Sequence, residues 1–99
     1  MNGQVIAEIH VTPLGTATTS LSRYVAATIN AAKVPDITYQ VTAMGTILQG
    51  PLDRVLELVQ KMHEVPFTMG VKRVVTTIRI DDRRDKSATI ESKVKAVTK

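Results

Sequence analysis

Hydroxyl side chains are concentrated in the segment TPLGTATTSLS, residues 12–22, between an alternating apolar run and a helical pattern. A serine or threonine needs an adjacent general base to act as a nucleophile, and this segment contains none. It also has a single glycine and no lysine, so it does not resemble a phosphate-binding loop. Hydroxyls that precede a helix commonly cap it, but together with backbone N–H groups they can also bind an anion or a polar heterocycle. Capping and ligand binding both remain open for this segment.

The other groups able to do chemistry are two histidines and the charged run DDRRD, residues 81–85. His10 and His63 lie far apart and the chain has no cysteine, so no metal site is predicted. The carboxylates of the run could act as acid and base or bind a cation, although neutralisation by Arg83 and Arg84 is the commoner outcome. Asp81 is kept as a candidate because it stays in register with one face of the preceding strand. No catalytic residue is predicted.

Period-two alternation predicts strands, and apolar residues three and four positions apart predict helices. These patterns predict the order strand, helix, strand, strand, helix, strand, followed by a short C-terminal helix. The segments are 5–11, 21–32, 37–44, 46–50, 50–64, 71–81 and 89–97. Thr19 or Ser20 is expected to cap the first helix. Gly50 is expected to cap the second helix, Pro51 to occupy its first helical position, and Pro66 to kink or end it.

The β-α-β-β-α-β order predicts an α+β fold of the ferredoxin-like, split βαβ class, with a four-stranded antiparallel sheet and both helices on one face. The uncovered face then combines apolar residues with hydroxyls, amides and charges. Its expected members are Gln4, Ile6, Glu8, His10, Thr12, Thr38, Gln40, Thr42, Met44, Val71, Arg73, Val75, Thr77, Arg79 and Asp81. Such a mixed surface is typical of a subunit interface or a small-molecule site. The alternative is an ordinary sheet face in contact with water.

Length and composition narrow the possible functions. The 99 residues predict a single domain, 1–99, and no segment is apolar enough to cross a membrane. The absence of cysteine and of a leader-like start predicts a cytoplasmic protein. The net charge of +4 arises from residues 72–99, but two tyrosines and one phenylalanine are too few for the stacking surface of an RNA-recognition motif. An acylphosphatase-type enzyme is also disfavoured, because the loop after the first strand lacks an arginine. Neither a nucleic-acid nor a membrane partner is expected.

Four blocks of sequence together resemble one known family. PLGT, TSLSRYVA, YQVTAMGTILQG and RVVTTIRIDDRRD follow one another over nearly the whole chain. They are similar to the small thiamine-binding protein family, which is related to the YkoF-like thiamine binders and was long classed as a domain of unknown function. The resemblance implies a ferredoxin-like fold that assembles into dimers of dimers through sheet contacts. It also implies binding of thiamine or of its hydroxymethylpyrimidine moiety without catalysis or a resident cofactor.

Thr, Gln and Asp side chains suit such a ligand because a pyrimidine with an exocyclic amine needs coplanar donors and acceptors. The cationic thiazolium ring would suit a carboxylate such as Asp81 or Glu8, with Met44 as a soft apolar wall. The predicted ligand-binding residues are those of the opening loop, the MGT turn and the end of strand four: Thr16, Thr19, Ser20, Ser22, Met44, Gly45, Thr46, Thr77 and Asp81. The alternative function is an oligomeric structural or regulatory module without a ligand.

Overall fold

Four strands and three helices follow one another in the predicted order. The computed structural model of the chain describes residues 4–16, 21–86 and 89–98. The elements are β1 (Gln4–Leu14), α1 (Ser22–Ala31), β2 (Thr38–Thr42), β3 (Gly45–Pro51), α2 (Leu52–Thr68), β4 (Arg73–Asp81) and α3 (Ile90–Val97). The strands form one antiparallel sheet in the order β2-β3-β1-β4. The ferredoxin-like arrangement is therefore confirmed. Among the described residues, no helix has the length and apolar character needed to cross a membrane.

Strand β1 lies at the centre of the sheet, and its two ladders differ in length. It pairs with β3 only as far as Ile9–Thr46, but with β4 from Ile6–Asp81 to Leu14–Arg73. Pro13, which lies beyond the predicted end of the first strand at residue 11, is a buried residue of β1. A proline lacks the N–H group that a central strand needs, so it is tolerated where a strand has one neighbour. At Pro13, β1 has already lost its β3 neighbour and behaves as an edge strand.

The core lies between the sheet and helices α1 and α2. Alternate residues of β1 and β3 point into it, together with the apolar stripe of α2, and the helices pack on one another and on the same sheet face. Its buried apolar members are Val5, Ala7, Ile9, Ala32, Ile37, Leu48, Val55, Leu58 and Met62. Half-buried His63 joins α2 to β4, because its Nδ1 atom lies 2.7 Å from the hydroxyl of Thr76. His63 is thus a half-buried helix residue that packs against the sheet.

Both ends of α2 differ from the prediction. Pro51 is the N-cap in extended conformation, rather than Gly50, because β3 continues through Pro51 and the helix begins directly at Leu52. The helix also continues past Pro66 to Thr68. Pro66 is fully buried, and its apolar ring contributes to the packing of the last turn while only one helical hydrogen bond is lost.

The second face of the sheet carries no α1 or α2 residues, and we call it the open face. From β1 it presents the even-numbered residues, and from β4 the odd-numbered ones that pair with them, as in Glu8–Arg79 and His10–Thr77. Helix α3 reaches its β2 side, where the N–H of Ile90 donates to Gln49 Oε1 at 2.8 Å. Lys93 Nζ lies 2.6 Å from Asp81 Oδ2. The C-terminal helix is thus attached to the open face by polar contacts, and none of its residues is buried.

Candidate functional site

A pocket of about 120 Å³ opens beside the turn that joins β2 to β3, and we call it the hairpin pocket. It lies between α1, the β2–β3 turn, β1 and one residue of α2. The residues that line it are Ile9, His10, Val11, Val25, Thr28, Ile29, Val41, Thr42, Ala43, Met44, Gly45, Thr46 and Met62. All three residues of the predicted MGT segment therefore border one cavity. The other residues that line the pocket are mostly apolar, and threonine side chains are interspersed among them.

Thr46 is one of two buried polar residues in the walls of the hairpin pocket. It occupies a core-facing position of β3 and is only 6% exposed. Within residues 4–16, 21–86 and 89–98, no group hydrogen-bonds its hydroxyl. Among the same residues, every fully buried side-chain oxygen has a hydrogen-bond partner. Because the Thr46 hydroxyl has no partner among them, it is not fully buried and keeps some contact with solvent. The hydroxyl is available to a ligand in an otherwise apolar pocket, where a hydrogen bond is strong and an unmade one is costly.

Thr28 faces the same pocket from α1 and is also 6% exposed. Its hydroxyl donates to the carbonyl oxygen of Tyr24 at 2.9 Å, one turn earlier in the helix. That bond uses its hydrogen and leaves the oxygen able to accept a second one. Sequence reasoning did not select Thr28. The available signal is its spacing, since it lies three residues after Val25 within the apolar stripe of the helix.

The turn itself is held by its own side chains. The Thr42 hydroxyl donates to the carbonyl of Gly45 at 2.9 Å, and the N–H of Met44 donates to Thr42 Oγ1 at 3.2 Å. Met44 is 78% exposed, so its side chain stands at the mouth of the pocket rather than inside it. A side-chain carbon at Gly45 would lie 2.8 Å from the carbonyl oxygen of Ile9. Gly45 therefore allows the start of β3 to approach β1 closely.

The other predicted site residues lie elsewhere in the chain. Thr16 lines a second pocket between the end of β1 and the start of β4, and Ser22 is the first residue of α1. Thr77 is exposed on the open face beside His10. Asp81 lies at the far end of β4, where it is paired with Lys93. Within one chain, these residues are not brought together with the MGT turn. Thr19 and Ser20 lie outside the described residues. The N-cap of α1 is Leu21, so the prediction that Thr19 or Ser20 caps this helix is wrong.

The charges of the DDRRD run neutralise one another. Arg83 Nε donates to Asp85 Oδ1 at 2.7 Å, and Arg84 Nη2 donates to Asp82 Oδ2 at 2.8 Å. The hydrogen bond from Arg83 lowers the pKa of the Asp85 carboxyl to about 2. The guanidinium of Arg84 lowers the pKa of Asp82 in the same way. The carboxylates stay ionised at neutral pH, which does not suit a general acid. The part of the chain that the structure describes contains no cluster of potential metal ligands.

Comparison with known proteins gives a consistent result. A family model described as thiamine-binding protein matches residues 7–98. UPF0045 protein YqgV of Bacillus subtilis is 44% identical, over 95% of this chain and 94% of its own. The crystal structure of a hypothetical protein from Methanocaldococcus jannaschii superposes with a TM-score of 0.87 at 40% identity, covering 96% of both chains.

A third similarity concerns the fold alone. A putative thiamine biosynthesis/salvage protein from Thermotoga maritima is 22% identical, with a TM-score of 0.77 over 94% of this chain and 97% of its own. The family match extends over almost the whole chain and includes the MGT turn, both sheet edges and α3. The chain therefore belongs to the thiamine-binding protein family.

Proposed function

We propose that this protein binds thiamine, through its hydroxymethylpyrimidine moiety, in the hairpin pocket and without chemical conversion. The observation that carries the proposal is the Thr46 hydroxyl, which is almost buried, lacks a protein partner among the described residues and lines an apolar pocket. A pyrimidine ring supplies acceptor nitrogens and an exocyclic amine that such a hydroxyl can pair with. The name of the family supports the same class of ligand.

The size of the pocket favours one ring rather than two. Its volume is about 120 Å³. For comparison, an apolar protein cavity of about 150 Å³ holds a benzene molecule. The hairpin pocket therefore has room for no more than one six-membered ring, which would enter between α1 and β3 while the rest of a thiamine molecule extends outward past Met44. Val25, Val41 and Ile29 provide apolar surface against the ring faces.

The charges around the hairpin pocket also favour entry of the neutral pyrimidine ring rather than the cationic thiazolium ring. The hairpin pocket is lined by no acidic residue of the described chain. The two carboxylates considered for the thiazolium cation have other partners, since Asp81 pairs with Lys93 and Glu8 Oε1 lies 3.8 Å from Arg79 Nη1. A cationic ring gains little inside such a pocket, whereas the neutral pyrimidine loses little by entering it. We therefore infer that the pyrimidine half carries the recognition.

Calorimetric titration with hydroxymethylpyrimidine and with thiamine tests this proposal. We expect both compounds to bind, and Thr46→Val to weaken both by about tenfold, because valine keeps the shape and removes the hydroxyl. Thr38→Val is the matched control, since Thr38 is an exposed strand residue outside the pocket. Absence of binding to either compound contradicts the proposal, and equal losses in the two variants contradict the role of Thr46.

We also propose that the protein is a homo-oligomer whose subunits meet through the open face. The supporting observation is the composition of that face. Val75, which is 47% exposed, lies opposite Thr12 towards one end of β1, and half-buried Ile6 and Ile47 lie towards the other end. Apolar residues surrounded by hydroxyls and charges are the usual composition of an interface between subunits.

A further inference from the structure

A second pocket, of about 530 Å³, lies where β1 ends and β4 begins, and we call it the basic pocket. It is lined by Leu14, Gly15, Thr16, Tyr24, Met69, Gly70, Val71, Lys72 and Arg73. Its volume is within the range of about 300–1,000 Å³ that is typical of small-molecule sites. Gly15 and Gly70 both border open space. A side-chain carbon added at either glycine would have no described heavy atom within 4 Å, apart from those of its chain neighbours.

The charge of the basic pocket is uncompensated. Lys72 and Arg73 are the only ionisable groups apart from the Tyr24 phenol among the residues that line it, and none of those residues is acidic. Neither cation forms an ion pair with any described residue. Outside the lining, the guanidinium of Arg23 lies 5.1 Å from the centre of the ring of Tyr24, a residue that lines the pocket. It also lacks an ion-pair partner among residues 4–16, 21–86 and 89–98.

Most carboxylates of the described residues form ion pairs outside the basic pocket. Carboxylates pair with Arg54, Arg79, Arg83, Arg84, Lys93 and Lys95. Among the described residues, Arg23, Lys33, Lys61, Lys72, Arg73 and Lys86 form no such pair, and two of these six cations, Lys72 and Arg73, line one concave surface. Like charges that are held together without an intervening carboxylate repel one another, and an anion placed between them relieves that repulsion.

We propose that the basic pocket binds a small molecule through a phosphate group. A phosphate dianion matches the two adjacent cations, because arginine can donate two parallel hydrogen bonds and lysine provides a compact charge beside it. The Tyr24 phenol can donate one more hydrogen bond to a phosphate oxygen. A free phosphate ion fills only part of about 530 Å³, so the remaining space accommodates the group that carries the phosphate.

The basic pocket is separate from the hairpin pocket, since the two share no lining residue. The inference therefore stands without the proposed thiamine binding, and the two can fail separately. Thr46→Val is expected to leave phosphate binding unchanged, and the loss of Lys72 and Arg73 is expected to leave pyrimidine binding unchanged.

The experiment is a titration of the protein with inorganic phosphate and with pyrophosphate at constant ionic strength. Binding is monitored through the amide signals of residues 14–16 and 70–73 in NMR spectra. We expect saturable shifts in these residues with both probes. The double variant Lys72→Gln/Arg73→Gln should weaken binding by about tenfold or more, because two charge-assisted contacts are lost. Both side chains are exposed, so the substitution should not disturb the fold.

The matched control is Lys33→Gln/Lys61→Gln, which removes the same charge from two exposed lysines outside the pocket. We expect this variant to bind both probes as the unmodified protein does. Equal losses in the two double variants would show general electrostatic attraction and overturn the proposal. Shifts that do not saturate would also overturn it. Displacement of pyrophosphate by duplex DNA with a steep salt dependence would identify a nucleic-acid surface instead and overturn it as well.

Discussion

Gly45 lies closer to the neighbouring strand than any side chain at that position would permit. The 2.8 Å that would separate a side-chain carbon from the Ile9 carbonyl oxygen is shorter than an ordinary van der Waals contact. The atom it meets belongs to the backbone of the central strand, which cannot move aside as a flexible side chain would. The glycine of the MGT turn thus has a packing role at the edge of the hairpin pocket.

Substitution of Gly45 should therefore destabilise the protein. We expect Gly45→Ala to lower the free energy of unfolding by about 1–3 kcal/mol, because the start of β3 must move away from β1. Urea denaturation measures the change. Ala43→Ser, an exposed position of the same turn, is the control and should stay within about 0.5 kcal/mol of the unmodified protein. Equal stability of the two variants would contradict this packing role.

The ion pair between Asp36 and Arg54 predicts a pH dependence. Arg54 donates through Nε and Nη2 to the two carboxylate oxygens, and this lowers the pKa of Asp36 below its ordinary value of 3.8. The contribution to stability is therefore present above that value and is lost as the pH falls through the lower, folded-state pKa. Because both groups are exposed, we expect a small effect that salt weakens.

Asp36→Asn should reveal this contribution. We expect the variant to unfold at a lower urea concentration than the unmodified protein at about pH 7. The difference should shrink towards zero as the solution is acidified below the ordinary carboxyl pKa of 3.8 and through the lower pKa of the folded state. In an Arg54→Gln background, the same substitution should have little effect at either pH. A difference that persists unchanged in acid would show that the pair is not its cause.

At the scale of single residues, the sequence did not predict which of the candidate residues lie close together. The MGT turn does border a pocket, as expected for a segment between two strands. Thr16 and Asp81 lie elsewhere, because their positions depend on where β1 and β4 end relative to β3, and local pattern does not determine that register. Thr28 was missed because a threonine within a helical stripe is usually explained by packing alone.

Helix α3 depends on a few polar contacts with the open face. Its N-terminus is capped by reciprocal hydrogen bonds, from Ser92 N–H to Thr89 Oγ1 at 3.0 Å and from Thr89 N–H to Ser92 Oγ at 2.9 Å. Beyond this cap, Gln49 and Asp81 attach it to the sheet, while Val94 and Val97 are 52% and 82% exposed. A helix of this length has little stability of its own in water. Its persistence therefore depends on these contacts.

Replacement of Gln49 should loosen the helix without unfolding the sheet. We expect Gln49→Leu to increase hydrogen exchange of the amides of residues 90–97 by about fivefold, because the acceptor of the Ile90 N–H is removed. Exchange in β1 and β4 should stay as it was. Gln40→Leu, on the same face of the neighbouring strand β2, is the control. Unchanged exchange in α3 would show that other contacts hold it.

At the scale of elements, hydrophobic periodicity predicted the order of strands and helices correctly. The predictions that were wrong concern the residues at which individual strands and helices begin or end. Pro66 illustrates the reason. Its local effect on a helix is unfavourable, and a local rule ends the helix there, yet the residue is buried in the core and the helix continues. Packing of Pro66 in the core outweighs the unfavourable effect of proline on the helix. This packing depends on other elements of the fold, so it cannot be predicted from the sequence of α2 alone.

On the scale of the whole molecule, the open face provides a test of assembly. Val75 on this face and Leu56 on the outer side of α2 have the same exposed fraction, 47%. We expect Val75→Arg to convert an oligomer into smaller species in light scattering and sedimentation, because a charge is costly inside an interface. Leu56→Arg should leave the mass unchanged. A protein that is already monomeric before substitution, or equal effects of the two variants, would contradict assembly through this face.

The unequal ladders of β1 have a consequence for the order of folding during synthesis. Its short ladder is made with β3, which ends at Pro51, but its long ladder is made with β4, which begins only at Arg73. Until the last quarter of the chain has left the ribosome, the far end of β1 has no strand to pair with on either side. Contacts that link distant parts of a sequence form late because their loop closure costs the most entropy. The sheet is therefore completed by the C-terminal strand, after most of the chain has been made.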